Sequence, residues 1–174
     1  MKLLLHTCCG PCLSGVHPVL VPEQFDMTAF FYNPNIHPEE EHAKRIGSFI
    51  NYSDANRIKT VINDEYGRDL FEKEVIGRKG DRCENCYRLR LGETAKYAKN
   101  NQFDSFSTTI LISPYQKHDL LKKVGEDLSK EYGIIFYYKD FRPFYKNSIM
   151  LSRQLGLYRQ KYCGCYKSFG GERK

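Results

Sequence analysis

Lys2-Leu3-Leu4-Leu5-His6-Thr7-Cys8-Cys9-Gly10-Pro11-Cys12 joins a short apolar run to three thiols packed within five positions. The run Lys2-Leu3-Leu4-Leu5 reads as a buried strand, and the thiols follow at its carboxyl end, on a loop. No core needs Cys-Cys-x-x-Cys packed that tightly. A thiophilic metal or an iron–sulfur centre does need soft ligands gathered on a loop. Two further pairs, Cys83-x-x-Cys86 and Cys163-Gly164-Cys165, complete the seven cysteines. The chain reads as a scaffold that brings three thiol groups together.

Outward from this stretch, residues 13–20 read as a short helix interrupted at Pro18. Residues 25–32 read as a strand rich in aromatic and β-branched side chains, closed by the turn Asn33-Pro34-Asn35. Pro38 sits in a first helical turn ahead of Glu39, Glu40 and Glu41, and Ala43, Ile46, Phe49 and Ile50 give that helix an apolar face. Residues 57–62 form the next strand, and residues 64–79 a loop with a short helix. Residues 83–100 are helical in pattern, which puts Cys83 and Cys86 on one face. A strand over 103–112 leads to Ser113-Pro114, an N-cap and first position for a helix striped by Leu120, Leu121, Val124 and Leu128 and ended by Gly133. A strand over 134–138 and a final helix over about 147–158 follow.

This alternation argues an α/β, Rossmann-like fold, a mostly parallel sheet with helices on both faces. Ligands of such sheets collect beyond the carboxyl ends of the strands, so the metal site is expected there. The sequence shows no repeat, low-complexity tract or linker. Residues 1–174 are therefore expected to form a single α/β domain with a basic helical C-terminal segment over about 139–174.

The 41% hydrophobic content suffices for one core, and no apolar run approaches the roughly 20 residues of a membrane span. Leu3 to Leu5 is too short for the apolar centre of a signal peptide, so a cytoplasmic location is expected. In a reducing compartment clustered thiols are ligands or redox catalysts rather than structural disulfides. The net charge of +6 is uneven: residues 139–174 carry nine Lys/Arg against two Asp/Glu, the remainder eighteen against nineteen. Such a segment suits a polyanion such as RNA, with Arg153, Arg159 and Lys161 as candidate contacts. There is neither a Walker pattern nor G-x-G-x-x-G, so nucleotide hydrolysis lacks its phosphate cradle.

The thiol spacing narrows the chemistry. Adjacent Cys8 and Cys9 do not easily serve one small tetrahedral ion, whereas a [4Fe–4S] cube accepts ligands on separate corners. Five thiols in the first two groups exceed four corners and leave one for a second metal. Cys163-Gly164-Cys165 can close a strained, labile disulfide, with Lys161 and Lys167 favouring the thiolate; metal ligation and inert thiols are the alternatives. His6 reads as a buried histidine bonded to a backbone carbonyl. Tyr115, Tyr145, Tyr158 and Tyr162 read as packing or as stacking platforms for bases. A zinc-stabilised RNA-binding module without catalysis explains the charge and one four-thiolate site, but leaves three thiols idle.

Taken together, His6-Thr7-Cys8-Cys9-Gly10-Pro11-Cys12, Cys83-Glu84-Asn85-Cys86-Tyr87-Arg88-Leu89-Arg90, Phe106-Ser107-Thr108-Thr109-Ile110, Ser113-Pro114-Tyr115 and Tyr162-Cys163-Gly164-Cys165 resemble the QueH family of epoxyqueuosine reductases, in the same order over nearly the whole chain. The resemblance implies an enzyme for the last step of queuosine biosynthesis, in which the epoxide of epoxyqueuosine in tRNA becomes a cyclopentene. It implies a [4Fe–4S] cluster without cobalamin, an adjacent mononuclear iron, and an external electron donor. By position it implies Cys8, Cys9, Cys83 and Cys86 as cluster ligands and Cys163 with Cys165 as a redox-active dithiol. The division of those four thiols and Cys12 between cluster and second iron stays open. The family often carries alanine at the place of Gly10, a change expected not to affect ligation. Asp140 and Tyr115, placed at strand ends, are the candidate proton donors.

Overall fold

The computed structural model describes residues 1–168; the end of the basic segment, up to Lys174, lies outside them. Five strands, β1 (Lys2–His6), β2 (Asp26–Tyr32), β3 (Lys59–Asn63), β4 (Ser105–Thr108) and β5 (Ile135–Phe136), form one parallel sheet in the order β3-β2-β1-β4-β5. The helices are α1 (Gly10–Leu20), α2 (Glu39–Ala55), α3 (Arg68–Phe71), α4 (Arg82–Asn100), α5 (His118–Tyr132) and α6 (Tyr145–Gln154). The chain crosses from β1 to β3 in one direction and from β4 to β5 in the other. Right-handed crossovers then put α1 and α2 on one face and α4 and α5 on the opposite face. Accordingly α1 packs against α2 and α6, and α4 against α5. This is the α/β architecture the alternation implied.

The central strands are covered on both faces, which is why β1 needs three consecutive leucines: Leu3, Leu4 and Leu5 are all fully buried. His6 pairs with Phe30 of β2 on one side and Thr108 of β4 on the other. The strand order reverses between β1 and β4, so the crevice that open sheets use for ligands starts where these two strands end.

Several elements differ from the sequence reading. The strand expected over 103–112 stops at Thr108, whose hydroxyl accepts the Ile110 N–H at 3.1 Å and turns the chain into the 3-10 turn Thr109–Ile112. Ser113-Pro114 does not start a helix. Ser113 Oγ accepts the Tyr115 N–H at 3.3 Å, and α5 begins only at His118. The expected strand over 134–138 shortens to two residues. In α1 the helix continues through Pro18 to Leu20, because the proline lies in its last turn.

The final helix ends at Gln154, ahead of Gly156 with φ +61°. Residues 155–165 run on without helix, so the C-terminal segment is helical only in part. The buried residues of α2 are Glu41, His42, Arg45, Ser48, Phe49, Tyr52 and Ser53, while Ala43 is exposed. The buried face is largely polar because it meets the C-terminal chain. No described helix is long and apolar enough to cross a membrane.

Candidate metal centre

The first thiol group is fixed by the backbone. His6 Nδ1 meets Thr108 Oγ1 at 2.9 Å and Nε2 meets the Tyr32 carbonyl at 3.1 Å, so one imidazole joins β1, β2 and β4. Burial holds it neutral, with a pKa lowered to about 3. This is the structural histidine expected from the sequence. Beyond it, the Thr7 carbonyl accepts Asn33 Nδ2 at 2.9 Å, and Asn33 Oδ1 accepts Arg90 Nη2 at 2.8 Å. Cys9 is the N-cap residue of α1, with Gly10 and Pro11 opening the helix and Cys12 in its first turn. The sulfurs of Cys8, Cys9 and Cys12 lie within 4.8 Å of one another.

Gly10 is fitted against α2. A Cβ at this position would stand 2.2 Å from the Ser48 carbonyl oxygen. Alanine in this chain would therefore collide with the backbone of a neighbouring helix.

The second group rides on the start of α4. Asp81 caps the helix, its Oδ1 accepting the N–H groups of Cys83 at 2.8 Å and Glu84 at 3.0 Å, while Lys117 pairs with Oδ2 at 2.5 Å. Cys83, Cys86 and Arg90 recur at helical spacing along one side of α4.

The third group lies on the chain that follows α6. Its glycine, Gly164, has φ +106°, and a Cβ there would meet Ile36 at 2.9 Å. Cys163 is exposed and Cys165 buried, and all seven thiols are free.

These segments enclose a cavity of about 560 Å³ at the carboxyl ends of β1 and β4. Cys8, Cys12, Cys83, Cys86, Cys163 and Cys165 line it, and fully buried Cys9 lies outside the lining. Arg45 and Arg90, each nearly inaccessible, also face this space. With the N-termini of α1 and α4 they give it a positive potential.

The thiols respond to this setting. Hydrogen bonds from Cys12 and Cys9 hold the Cys8 thiol well below its ordinary range, with Arg90 and Thr109 adding to the effect. The bond to Cys8 holds Cys12 up, and burial raises Cys9. Burial also raises Cys83 and Cys165, and pushes Cys86 up to about 12. Thiols held protonated in this way would have to give up their protons to ligate a metal. Soft donors from three segments, with two buried guanidiniums beside them, fit an anionic metal–thiolate centre.

The remaining candidates lie at the rim or outside. Tyr115 is half exposed at the mouth, its ring edge-on to Tyr145 at 5.8 Å. Asp140 is not among the lining residues. Its carboxylate is forked onto Arg142, at 2.9 Å from Nε to Oδ1 and 2.7 Å from Nη2 to Oδ2, which holds its pKa at about 2. A group so firmly ionised is a poor proton donor. Arg153 is exposed on α6; Arg159 and Lys161 lie on the chain beyond it, Lys161 exposed and Arg159 half-buried.

Arg45 and Arg90 were not singled out by sequence reasoning, whereas Asn33 and Asn35 belong to the turn read as closing the second strand. Arg90 had a signal, since it stands four residues after Cys86 on a helix. Arg45 had none, because a charged side chain one turn before Phe49 reads as solvent-facing in an apolar pattern.

The chain matches the family model described as epoxyqueuosine reductase QueH over residues 3–170. It is 37% identical to the epoxyqueuosine reductase QueH of Dehalococcoides mccartyi, over 97% of this chain and 95% of that protein. The QueH proteins of Thermotoga maritima and Streptococcus pyogenes are each 34% identical, over 94% of this chain and 88% and 69% of theirs. With the thiol segments in place around one cavity and a match of this length, the chain belongs to the epoxyqueuosine reductase QueH family.

Proposed function

We propose that this protein reduces epoxyqueuosine in tRNA to queuosine, taking up two electrons and two protons, releasing the epoxide oxygen as water and leaving an alkene. One observation carries the reading: in a chain of this family, thiols from three distant segments line one cavity at the sheet's switch point.

Cys8, Cys9, Cys83 and Cys86 would hold a [4Fe–4S] cluster, with Cys12 beside them for a mononuclear iron. When bound, these groups supply single-electron transfer and Lewis acidity toward the epoxide oxygen. The chain's own residues do the rest. Arg45 and Arg90 offset the negative charge of the ligand thiolates. Cys163 and Cys165 act as the dithiol: closing to a disulfide releases two electrons and two protons, which balances the reduction of one epoxide. An external reductant then reopens the bridge. Tyr115, at the mouth, is the proton donor of this reading; Asp140 is not carried forward. Arg153, Arg159 and Lys161 contact the tRNA backbone. A cytoplasmic setting, where thiols stay reduced, suits this chemistry.

The test is anaerobic purification followed by measurement of iron, acid-labile sulfide and conversion of epoxyqueuosine-tRNA by mass spectrometry. A brown protein with about four or five irons per chain, active on that tRNA, is expected. A colourless zinc protein that binds RNA and converts nothing would overturn the reading in favour of a non-catalytic module.

A further inference from the structure

The chain that carries Cys163 and Cys165 has no strand partner. Its backbone is held by capture of its carbonyl groups. Arg45 Nη2 donates to the Tyr162 carbonyl at 2.9 Å and Nη1 to the Cys163 carbonyl at 3.3 Å. Asn35 Nδ2 donates to the same Cys163 carbonyl at 3.1 Å, and the His37 N–H to the Gly164 carbonyl at 2.9 Å. Three consecutive carbonyls are taken, two of them by one side chain. Ser48 Oγ takes the Tyr158 carbonyl at 3.4 Å earlier on the same segment.

Arg45 is only 1% exposed, and a guanidinium so deep needs compensation. Its partner is Glu41, one turn earlier, at 2.8 Å, and the second Glu41 oxygen accepts from the Tyr158 hydroxyl. The Tyr162 ring lies 5.3 Å from the guanidinium. On its other side Arg45 feels the charge of Cys9 and Cys8. One planar fork therefore touches the last thiol segment and senses the first. Lysine, a point charge with no fork, cannot make both carbonyl bonds in this way.

We propose that Arg45, braced by Glu41, is a positioning residue that fixes the Cys163-Gly164-Cys165 turn over the cavity and keeps Cys165 inside it. This rests on the reading of Cys163 and Cys165 as the dithiol of the reaction. Arg45 exchanges no electrons; it sets where the thiols that do so are held.

The test compares the wild-type holoenzyme with Arg45→Gln, Arg45→Lys and the double variant Glu41→Gln/Arg45→Gln, which leaves no unpaired buried charge. Iodoacetamide labelling of Cys165 under anaerobic conditions, read by mass spectrometry, is expected to accelerate at least about tenfold in both glutamine variants. Arg45→Lys is expected to fall between them and the wild type. Per bound iron, kcat should drop with KM for the tRNA unchanged. Unchanged Cys165 labelling in the double variant overturns the proposal, as does a rise in KM with kcat intact. Wild-type protein without iron or turnover sinks the functional reading instead, and the labelling ratio still decides whether Arg45 holds the turn.

Discussion

The first and last thiol groups are built by opposite means. Cys8, Cys9 and Cys12 follow the central strand, with backbone ladders on both sides, and sit in the opening turn of a helix. Cys163 and Cys165 sit on a segment without a ladder, held by side chains of α2 and the loop before it. Cys9 is fully buried and Cys163 is exposed. A ligand must be in place before its metal arrives, so it belongs on the most rigid backbone available. A thiol that gives up electrons and is then reduced again must be reached from outside. The contrast matches the proposed roles, residence for the first group and exchange for the last.

The largest expected effect separates the two roles. Cys86→Ala should remove the iron absorbance and lower turnover by more than about a thousandfold, since a buried ligand has no substitute. Cys163→Ala should keep the iron and fail in repeated turnover. Loss of iron in Cys163→Ala would erase the contrast and make the last pair ligands.

Next in size is the fit of the rigid group. Gly10→Ala should destabilise the protein by about 3 kcal/mol, because the new methyl group meets Ser48 backbone rather than a flexible side chain. Thermal unfolding should show a midpoint lower by about 10 °C. A midpoint within a degree of wild type would mean that α2 yields easily.

The anchor of the last group is expected to depend on pH. Burial lowers the pKa of His37 to about 4, and its backbone N–H holds Gly164. Folded His37 stays neutral while its unfolded counterpart, with a pKa near 6.5, takes up a proton. Its stabilising contribution is therefore complete above about pH 6.5 and is lost as pH falls toward 4, by up to about 3 kcal/mol. Urea midpoints across that range should slope less in His37→Gln than in wild type; equal slopes would place the titration elsewhere.

The smallest effect concerns charge near the last group. Reversing Arg153, Arg159 and Lys161 together should weaken tRNA binding about tenfold and reduce the slope of log K against log salt by about two. Unchanged affinity would show that RNA lies against another surface.

What could be read in advance follows the same division. Leu3-Leu4-Leu5 and the residues after it announce a buried strand ending in thiols, because strand period, burial and ligand clustering are all local in sequence. The 3-10 turn after β4 was not legible, since it depends on the Thr108 hydroxyl preferring the Ile110 N–H to a ladder. The polar face of α2 was hidden for a different reason. Glu41, Arg45 and Ser48 are buried against chain more than a hundred residues away, so apolar periodicity finds Phe49 on that face but not its polar neighbours. Only the completed tertiary contact explains why an arginine is wanted there.

Gly10 and Arg45 share a neighbour that gives their pairing a wider meaning. Ser48, against which Gly10 rests, lies three residues from Arg45, about 4.5 Å along the helix axis. One turn of α2 thus works as a gauge block between an early and a late part of the chain. Any drift of that helix moves both of its stops together, so the spacing between the first and the last thiol group is machined into one helical turn.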